Sequence, residues 1–443
     1  MLIENRRKRC AGVFVAALVC FAGAASAQTA FRSVFVGNNG NLEGSVSSFR
    51  VNADNTVTFV SKYVTGSRPN TSVFDAGTNV QAIALRPDGK FIACFHGTSN
   101  SVSERITMLR VNADGTFSPP AGPGSGLYLT PDSPLDAEWV NDEFLAVLQT
   151  GAGNMFIYRF DEDALTLTQT SVVPTGGFTA SLAVHPSRNF VVTQESTARS
   201  VRVFAISGGG VATQVGVATA GNYSLGVGVS PDGTKAFGGG GISGSGEDVT
   251  SFSINPSTGA ISLVAGSPYT SPGSSPKQVA VTSDNLFALV AHGSDATVRV
   301  LAIDQSTGAL TDTGFNFDVG FQGSLGEVAV SGAQMFVSDR DTISDGVMGL
   351  RSFTVGANGS LTQNGAMQST AGSGPSSIQT FVPPPACAGD INGDGVTNTL
   401  DLTILLGAFG TSVPPGTSGD FDSSGFVNTA DLTVLLGDFG CSG

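Results

Sequence analysis

A repeat of about fifty residues constrains this chain more than any other feature. One copy reads VQAIALRPDGKFIACFHGTSN and then ITMLRVNADGTFS, starting at Val80. Another reads SLGVGVSPDGTKAFGGGG and then VTSFSINPSTGAISLV, starting at Ser224, and a third starts at Ser275 with SPKQVAVTSDNLFALVAHGSDATVRVLAIDQSTGALTDT. Each copy has one order: an apolar alternating run, a tight turn, a second run, a Gly/Ser loop, a third run, an Asn/Asp-rich turn and a short fourth run. Pro87-Asp88-Gly89 and Pro231-Asp232-Gly233 fit the first turn, with a preset φ, a side-chain cap and a residue tolerant of positive φ. Ala113-Asp114-Gly115, Ser257-Thr258-Gly259 and Ser306-Thr307-Gly308 mark the second. In TVRVLAID, from Thr297, Val298, Val300 and Ala302 share a face, the period of a strand.

Six full copies fall at 79–126, 127–177, 178–222, 223–273, 274–323 and 324–372. A seventh assembles from both ends: residues 31–60 supply three outer strands, and SGPSSIQTFV at 373–382 supplies the missing inner one. Four-strand units at this period predict a mainly β chain, a seven-bladed β-propeller over residues 28–382 closed from both ends, which removes the exposed sheet edge.

Residues 1–27 stand apart from that pattern. Arg6, Arg7, Lys8 and Arg9 precede the apolar run AGVFVAALVCFAGAA, and Ala25-Ser26-Ala27 offers a small-x-small cleavage site. A signal peptide is expected, with a secreted or cell-surface chain and no membrane span after cleavage. The run is short of the about 20 residues that a spanning helix needs. Removing it leaves 17 Lys/Arg against 34 Asp/Glu, a net charge of −17. So acidic a surface lacks the basic patch that nucleic acid requires, and no nucleic-acid partner is expected.

The repeat grammar of strand, S-P-D-G, strand, loop, strand and N-x-S-T-G-x-L resembles the seven-bladed lactonase family, which includes propeller-type 6-phosphogluconolactonases and carboxymuconate-lactonizing enzymes. The resemblance implies the fold and a carboxylic ester hydrolase. Members of that family resemble one another in a Pro-His-x-His segment opening an inner strand and an Asp-Leu-Gly segment after the next. This chain has Ser275-Pro276-Lys277-Gln278, Phe178-Thr179-Ala180-Ser181 and Gly374-Pro375-Ser376-Ser377 at the inner-strand starts, so no catalytic residue carries over. The residues themselves offer another set. The ends of the second strands hold His96, Gln149, Glu195, His292 and Asp339-Arg340, at equivalent repeat positions. His96, Glu195, His292 and Arg340 are the candidate catalytic residues, as imidazole or carboxylate bases and an anion-binding guanidinium. The alternative is that they line a ligand site or fasten loops. The third histidine, His185, precedes Pro186 and reads as a turn residue on the opposite face.

Residues 387–443 are different again. GDINGDGVTNTLDLTILLGAFG and GDFDSSGFVNTADLTVLLGDFG are near copies thirty residues apart. Both fit the calcium loop D-x-[DN]-x-[DN]-G with an acid at the twelfth position. The ligand positions are Asp390, Asn392, Asp394, Val396 through its carbonyl, Asn398 and Asp401, then Asp420, Asp422, Ser424, Phe426 through its carbonyl, Asn428 and Asp431. Two Ca²⁺ ions are expected, the second held more weakly because Ser424 replaces an acid. After each loop Leu402, Leu405, Leu406 and Phe409, or Leu432, Leu435, Leu436 and Phe439, recur at helical spacing, which predicts two helices pairing their stripes. Three cysteines remain in the mature chain; Cys387 and Cys441 bracket the module, and export permits their disulfide, while Cys94 sits in the apolar FIACF. Duplicated loop-helix units with no helix before either loop resemble a type I dockerin. That resemblance implies a cohesin-like scaffold or cell-surface partner, with the Pro-rich residues 383–386 as linker. The residues support a secreted recognition propeller for a small molecule or glycan, tethered through calcium. A lactone hydrolase and a structural assembly protein are the alternatives.

Overall fold

A computed structural model describes residues 31–442 apart from 41, 68–76, 98–104, 121–125, 131–132, 150–152, 220–224, 241–247, 319–324, 341–347, 384–386, 393–394, 414–417 and 423. The leader, most of the Pro-rich linker and Asp394 lie outside the described residues. Seven antiparallel sheets form, one per repeat, each built on a four-strand meander, with a short fifth strand added in three of them. Blade 1 is the exception in sequence order. Its inner strand, Pro375–Phe381, pairs antiparallel with Ser33–Asn39, placing Ile378 against Val36. Ser33–Asn39 pairs in turn with Glu43–Val51 and that with Val57–Ser67, so the propeller's first and last strands meet inside one sheet.

The inner strands of blades 2 to 7 are Val80–Leu85, Pro134–Trp139, Thr179–Val184, Gly226–Val229, Pro276–Val281 and Leu325–Ser331. Each leads through a tight turn into its second strand. Gly89, Gly233 and Asn285 take φ of 72°, 70° and 64° at three of those turns, and Arg188 takes 59° at a fourth. Each donates its N–H three residues back, to the carbonyls of Arg86, Ser230, Thr282 and His185. His185 holds the turn on the next blade: its Nε2 lies 2.8 Å from the Gly233 carbonyl and its ring meets Phe190 edge-on.

The apolar core is divided among the joints between neighbouring blades. Phe91, Ala93 and Phe95 of blade 2 pack on Trp139, Leu145 and Val147 of blade 3, and equivalent clusters fill the other joints, with Val34 and Phe49 meeting Phe336 and Leu350 where blade 7 joins blade 1. Alternation explains this, since each strand sends one set of side chains to each neighbour, and a buried Phe contributes on the order of 1.5–3 kcal/mol. Val298 and Val300 behave as expected, both fully buried in one joint. Cys94 lies buried in the joint between blades 1 and 2, and burial pushes its thiol pKa up.

The C-terminal module has helices α1 (Thr399–Ala408) and α2 (Thr429–Gly437). Cys387 and Cys441 form a disulfide. The helical stripes pair only in part. Leu405 and Leu435 are fully buried, but Leu406 (53%), Phe409 (39%), Leu436 (55%) and Phe439 (45%) are exposed. Val427, Ile391 and Phe421 from the loops complete the cluster around Leu405 and Leu435, so the loops do work that the distal half of each stripe was expected to do. Among the described residues no helix is long and apolar enough to cross a membrane.

Candidate active site in the central channel

The inner strand of each blade is a sheet edge turned to the axis, and its outward N–H groups need acceptors. Side chains of the preceding blade provide them. Leu182 N–H donates to the Asp136 carboxylate (2.9 Å), Val184 N–H to Glu138 (2.7 Å), Val227 N–H to Ser181 Oγ (3.3 Å), Val328 N–H to Gln278 Oε1 (2.8 Å) and Ile378 N–H to Glu327 (2.9 Å). Partners lie 46 to 51 residues apart, one blade in each case. Asp136, Ser181, Gln278 and Glu327 therefore occupy one repeat position, whose side chain points along the channel wall.

The channel encloses a cavity of about 290 Å³ lined by inner strands of all seven blades, including Ile83, Asp136, Ser181, Val227, Gln278, Glu327 and Ser377. Its volume sits at the small end of the about 300–1,000 Å³ usual for ligand sites. Three carboxylates (Asp136, Glu138, Glu327) and two cations (Lys277, Arg340) face it. All five are half-buried. Burial pushes Asp136 up to about 8, helped by the charges of Glu327 and Glu138. Burial also raises Glu327, to about 7, against the pull of the Ile378 N–H and the Lys277 charge. Glu138 is raised, chiefly by burial. Lys277 is lowered by burial and then by Arg340, and Arg340 by burial. Carboxyls and cations moved toward neutrality in one cleft are the arrangement in which acid–base work is feasible near neutral pH.

Of the residues expected from the second-strand ends, Arg340 lines this cavity, and His96, Glu195 and His292 stand one strand behind it. The two histidines grip the segment that brings the chain into their own blades, and Glu195 holds the turn that follows its own strand. His96 is fully buried, with Nδ1 3.0 Å from the Thr78 carbonyl and Nε2 2.9 Å from Thr107 Oγ1. Burial, then the nearby Arg105 charge, lowers its pKa to about 3, so it stays neutral. His292 Nε2 meets Ser271 Oγ at 3.1 Å, and burial lowers its pKa. A Cβ on Gly273 would stand 2.6 Å from that ring, which is why a glycine passes there. Glu195 is also fully buried and accepts the N–H groups of Thr197 (2.8 Å) and Ala198. Asp339, at the same repeat position, pairs with Arg351 at 2.7 Å. The structure places these groups in separate blades and brings no two of the three together.

The channel carboxylates are not among the residues that the histidine pattern and the strand starts single out. Their signal is an acid at the third position of otherwise small or apolar inner strands, PLDAEW and LGEVAV, in register one with the other.

Residues 141–327 match the family model described as lactonase, 7-bladed beta-propeller. The propeller is lactonase-like. Among solved structures the chain is similar to a Bacteroides fragilis protein described as a candidate 6-phosphogluconolactonase, with TM-score 0.61 and 15% identity over 79% of this chain and 98% of that one. A Bacteroides uniformis protein described in the same way gives 0.58 and 15% over 79% and 99%. A Desulfotomaculum acetoxidans protein described as functionally unknown gives 0.58 and 18% over 80% and 99%. At these identities the likeness is one of fold. No curated protein matches the sequence.

In the C-terminal module, carboxylate oxygens of Asp420, Asp422 and Asp431 lie within 4.8 Å of one another, a spacing that suits one hard cation. Asp431 accepts N–H groups of Phe421 (2.7 Å), Asp422 (3.3 Å) and Asn428 (2.9 Å). Asp401 repeats the pattern with Ile391, Asn392 and Asn398, and Asp390 accepts Gly395 N–H at 2.8 Å. Burial opposes the charge of Asp401, but those three N–H groups outweigh it and hold its carboxyl below the usual range. Asn398 and Asn428 use their side-chain oxygens to cap α1 and α2 and their amides on the Val396 and Phe426 carbonyls. They would meet an ion only by giving up those bonds or through water. Ser424 donates to the Phe426 carbonyl at 3.2 Å, and Asp394 lies outside the described residues.

Proposed function

We propose that the propeller hydrolyses a lactone in its central channel, the observation that carries this being the meeting of three raised carboxyls with two cations in a lactonase-like fold. Glu327, as carboxylate, takes a proton from water as its oxygen adds to the lactone carbonyl carbon. Lys277 and Arg340 hold the oxyanion that forms. As the ring C–O bond breaks, Asp136 in its protonated form gives its proton to the departing oxygen, and a hydroxy acid leaves. The test is initial-rate hydrolysis of a panel of sugar lactones and unsaturated γ-lactones by residues 28–443. Turnover above the buffer rate supports the reading. A flat trace accompanied by ligand-dependent thermal stabilisation makes the propeller a recognition domain instead.

On this reading His96 is structural. His96→Ala is expected to cost ~2–4 kcal/mol, from a cavity and two lost buried bonds, and to leave turnover within about twofold. Thermal melts with rates on the same sample check both.

The proposal extends to the ends of the chain. Residues 1–27 direct secretion to the exterior or cell surface. Residues 387–443 take up two Ca²⁺ ions, the second more weakly, and attach to a cohesin-like scaffold or cell-surface partner through the apolar side chains left uncovered on α1 and α2 and just past α2. Calcium would supply the charge that draws each loop's oxygens inward. The clustered carboxylates of Asp420, Asp422 and Asp431 and the exposed Leu400, Leu406, Leu436 and Phe439 support this part.

A further inference from the structure

The two halves of the C-terminal module are braced symmetrically up to a point. The tail of α1 pairs with the second loop through Gly410 N–H to the Val427 carbonyl (2.8 Å) and a bridge between Ser412 and Phe426. The tail of α2 pairs with the first loop through Gly440 N–H to the Thr397 carbonyl (2.8 Å) and a bridge between Val396 and Ser442. The symmetry then breaks at one pair of positions. Asp438, at the end of α2, accepts Gly389 N–H at 2.6 Å and the Thr397 hydroxyl at 2.7 Å. Thr397 is fully buried. In the other half the corresponding residues are Ala408 and Val427, which both sit in the apolar cluster. Polar tie and apolar contact have exchanged places.

We propose that Asp438 is a positioning residue for calcium at the first loop. Gly389 directly precedes Asp390, and Thr397 stands between Val396 and Asn398, so one carboxylate grips the backbone beside the first ligand and the side chain beside the carbonyl ligand. A loop fixed at both places loses less freedom when an ion arrives. The Cys387–Cys441 bridge holds the same side of the module. The first loop therefore fills ahead of the second. The inference rests on the calcium reading and adds, beside the Ser424 replacement in the second loop, a second cause for the filling order.

The experiment is calorimetric titration of calcium into chelator-treated residues 28–443 with the disulfide intact. Wild type is expected to show two phases, with the tight one abolished by Asp390→Ala. Asp438→Ala is expected to weaken that phase by about tenfold or more, as lost outer-shell partners do, and to leave the weak phase in place. Thr397→Val/Asp438→Ala installs the apolar pair of the second repeat. It is expected to keep the far-UV helix signal with the tight phase still weakened, which separates positioning from unfolding. A tight phase unmoved by Asp438→Ala, or two phases moving together in the double variant, overturns the inference alone. No calcium uptake by wild type overturns both it and the calcium reading.

Discussion

Glu327→Gln is expected to lower kcat for the best lactone by about 10²–10⁴-fold, the usual contribution of a general base, with little change in stability. Glutamine is close in size and shape, and its amide oxygen can go on accepting the Ile378 N–H that Glu327 accepts at 2.9 Å. Blade 6 already uses that solution: Gln278 accepts the Val328 N–H at 2.8 Å from the same repeat position. What glutamine cannot do is take a proton. Rates and thermal melts of the variant beside wild type separate the two roles, and a variant that melts normally but turns over at the wild-type rate removes Glu327 from the chemistry.

Asp431→Ala is expected to unfold the second half of the C-terminal module while the propeller's own transition stays in place. Asp431 is fully buried and serves the N–H groups of Phe421, Asp422 and Asn428, the last as part of the capping box of α2. Orphaning three partly buried donors and losing a cap costs ~2–4 kcal/mol in total. The module has little to set against that, since Leu405, Val427 and Leu435 are its fully buried apolar side chains among the described residues. Hydrogen exchange on the full chain reads the outcome directly: protection lost across Thr429–Gly437 with the blades unchanged. Retained protection there means the loop is held by something other than Asp431.

The propeller was legible because its physics repeats. A turn needing positive φ returns at Gly89, Gly233 and Asn285, and the strand missing before Ser33 is present at Pro375–Phe381. The Cys387–Cys441 bridge was legible because the other cysteine outside residues 1–27, Cys94, lies in a run that reads as core. The channel was harder. His96, Glu195 and His292 share a repeat position, and that position fastens nearby backbone, the entering segment for the two histidines and the following turn for Glu195, a demand that local sequence does not reveal. Asp136 and Glu327 become conspicuous only when closure of the ring turns seven strand edges toward one axis. In the C-terminal module the repeat spacing located the loops, but which half of each stripe is buried depends on how Val427 and Phe421 fold back onto α1 and α2.

The most direct test is the pH dependence of kcat/KM for lactone hydrolysis. Glu327 must be ionised to accept a proton, so the rate should rise as pH climbs through about 7. Asp136 must be protonated to give one, so the rate should fall as pH climbs through about 8. The two carboxyls feel each other's charge, so the limbs belong to the pair, and a narrow bell between them is the predicted profile. A rate that does not vary across that interval, or a single limb that disappears in His96→Ala, would contradict catalysis by the channel carboxyls.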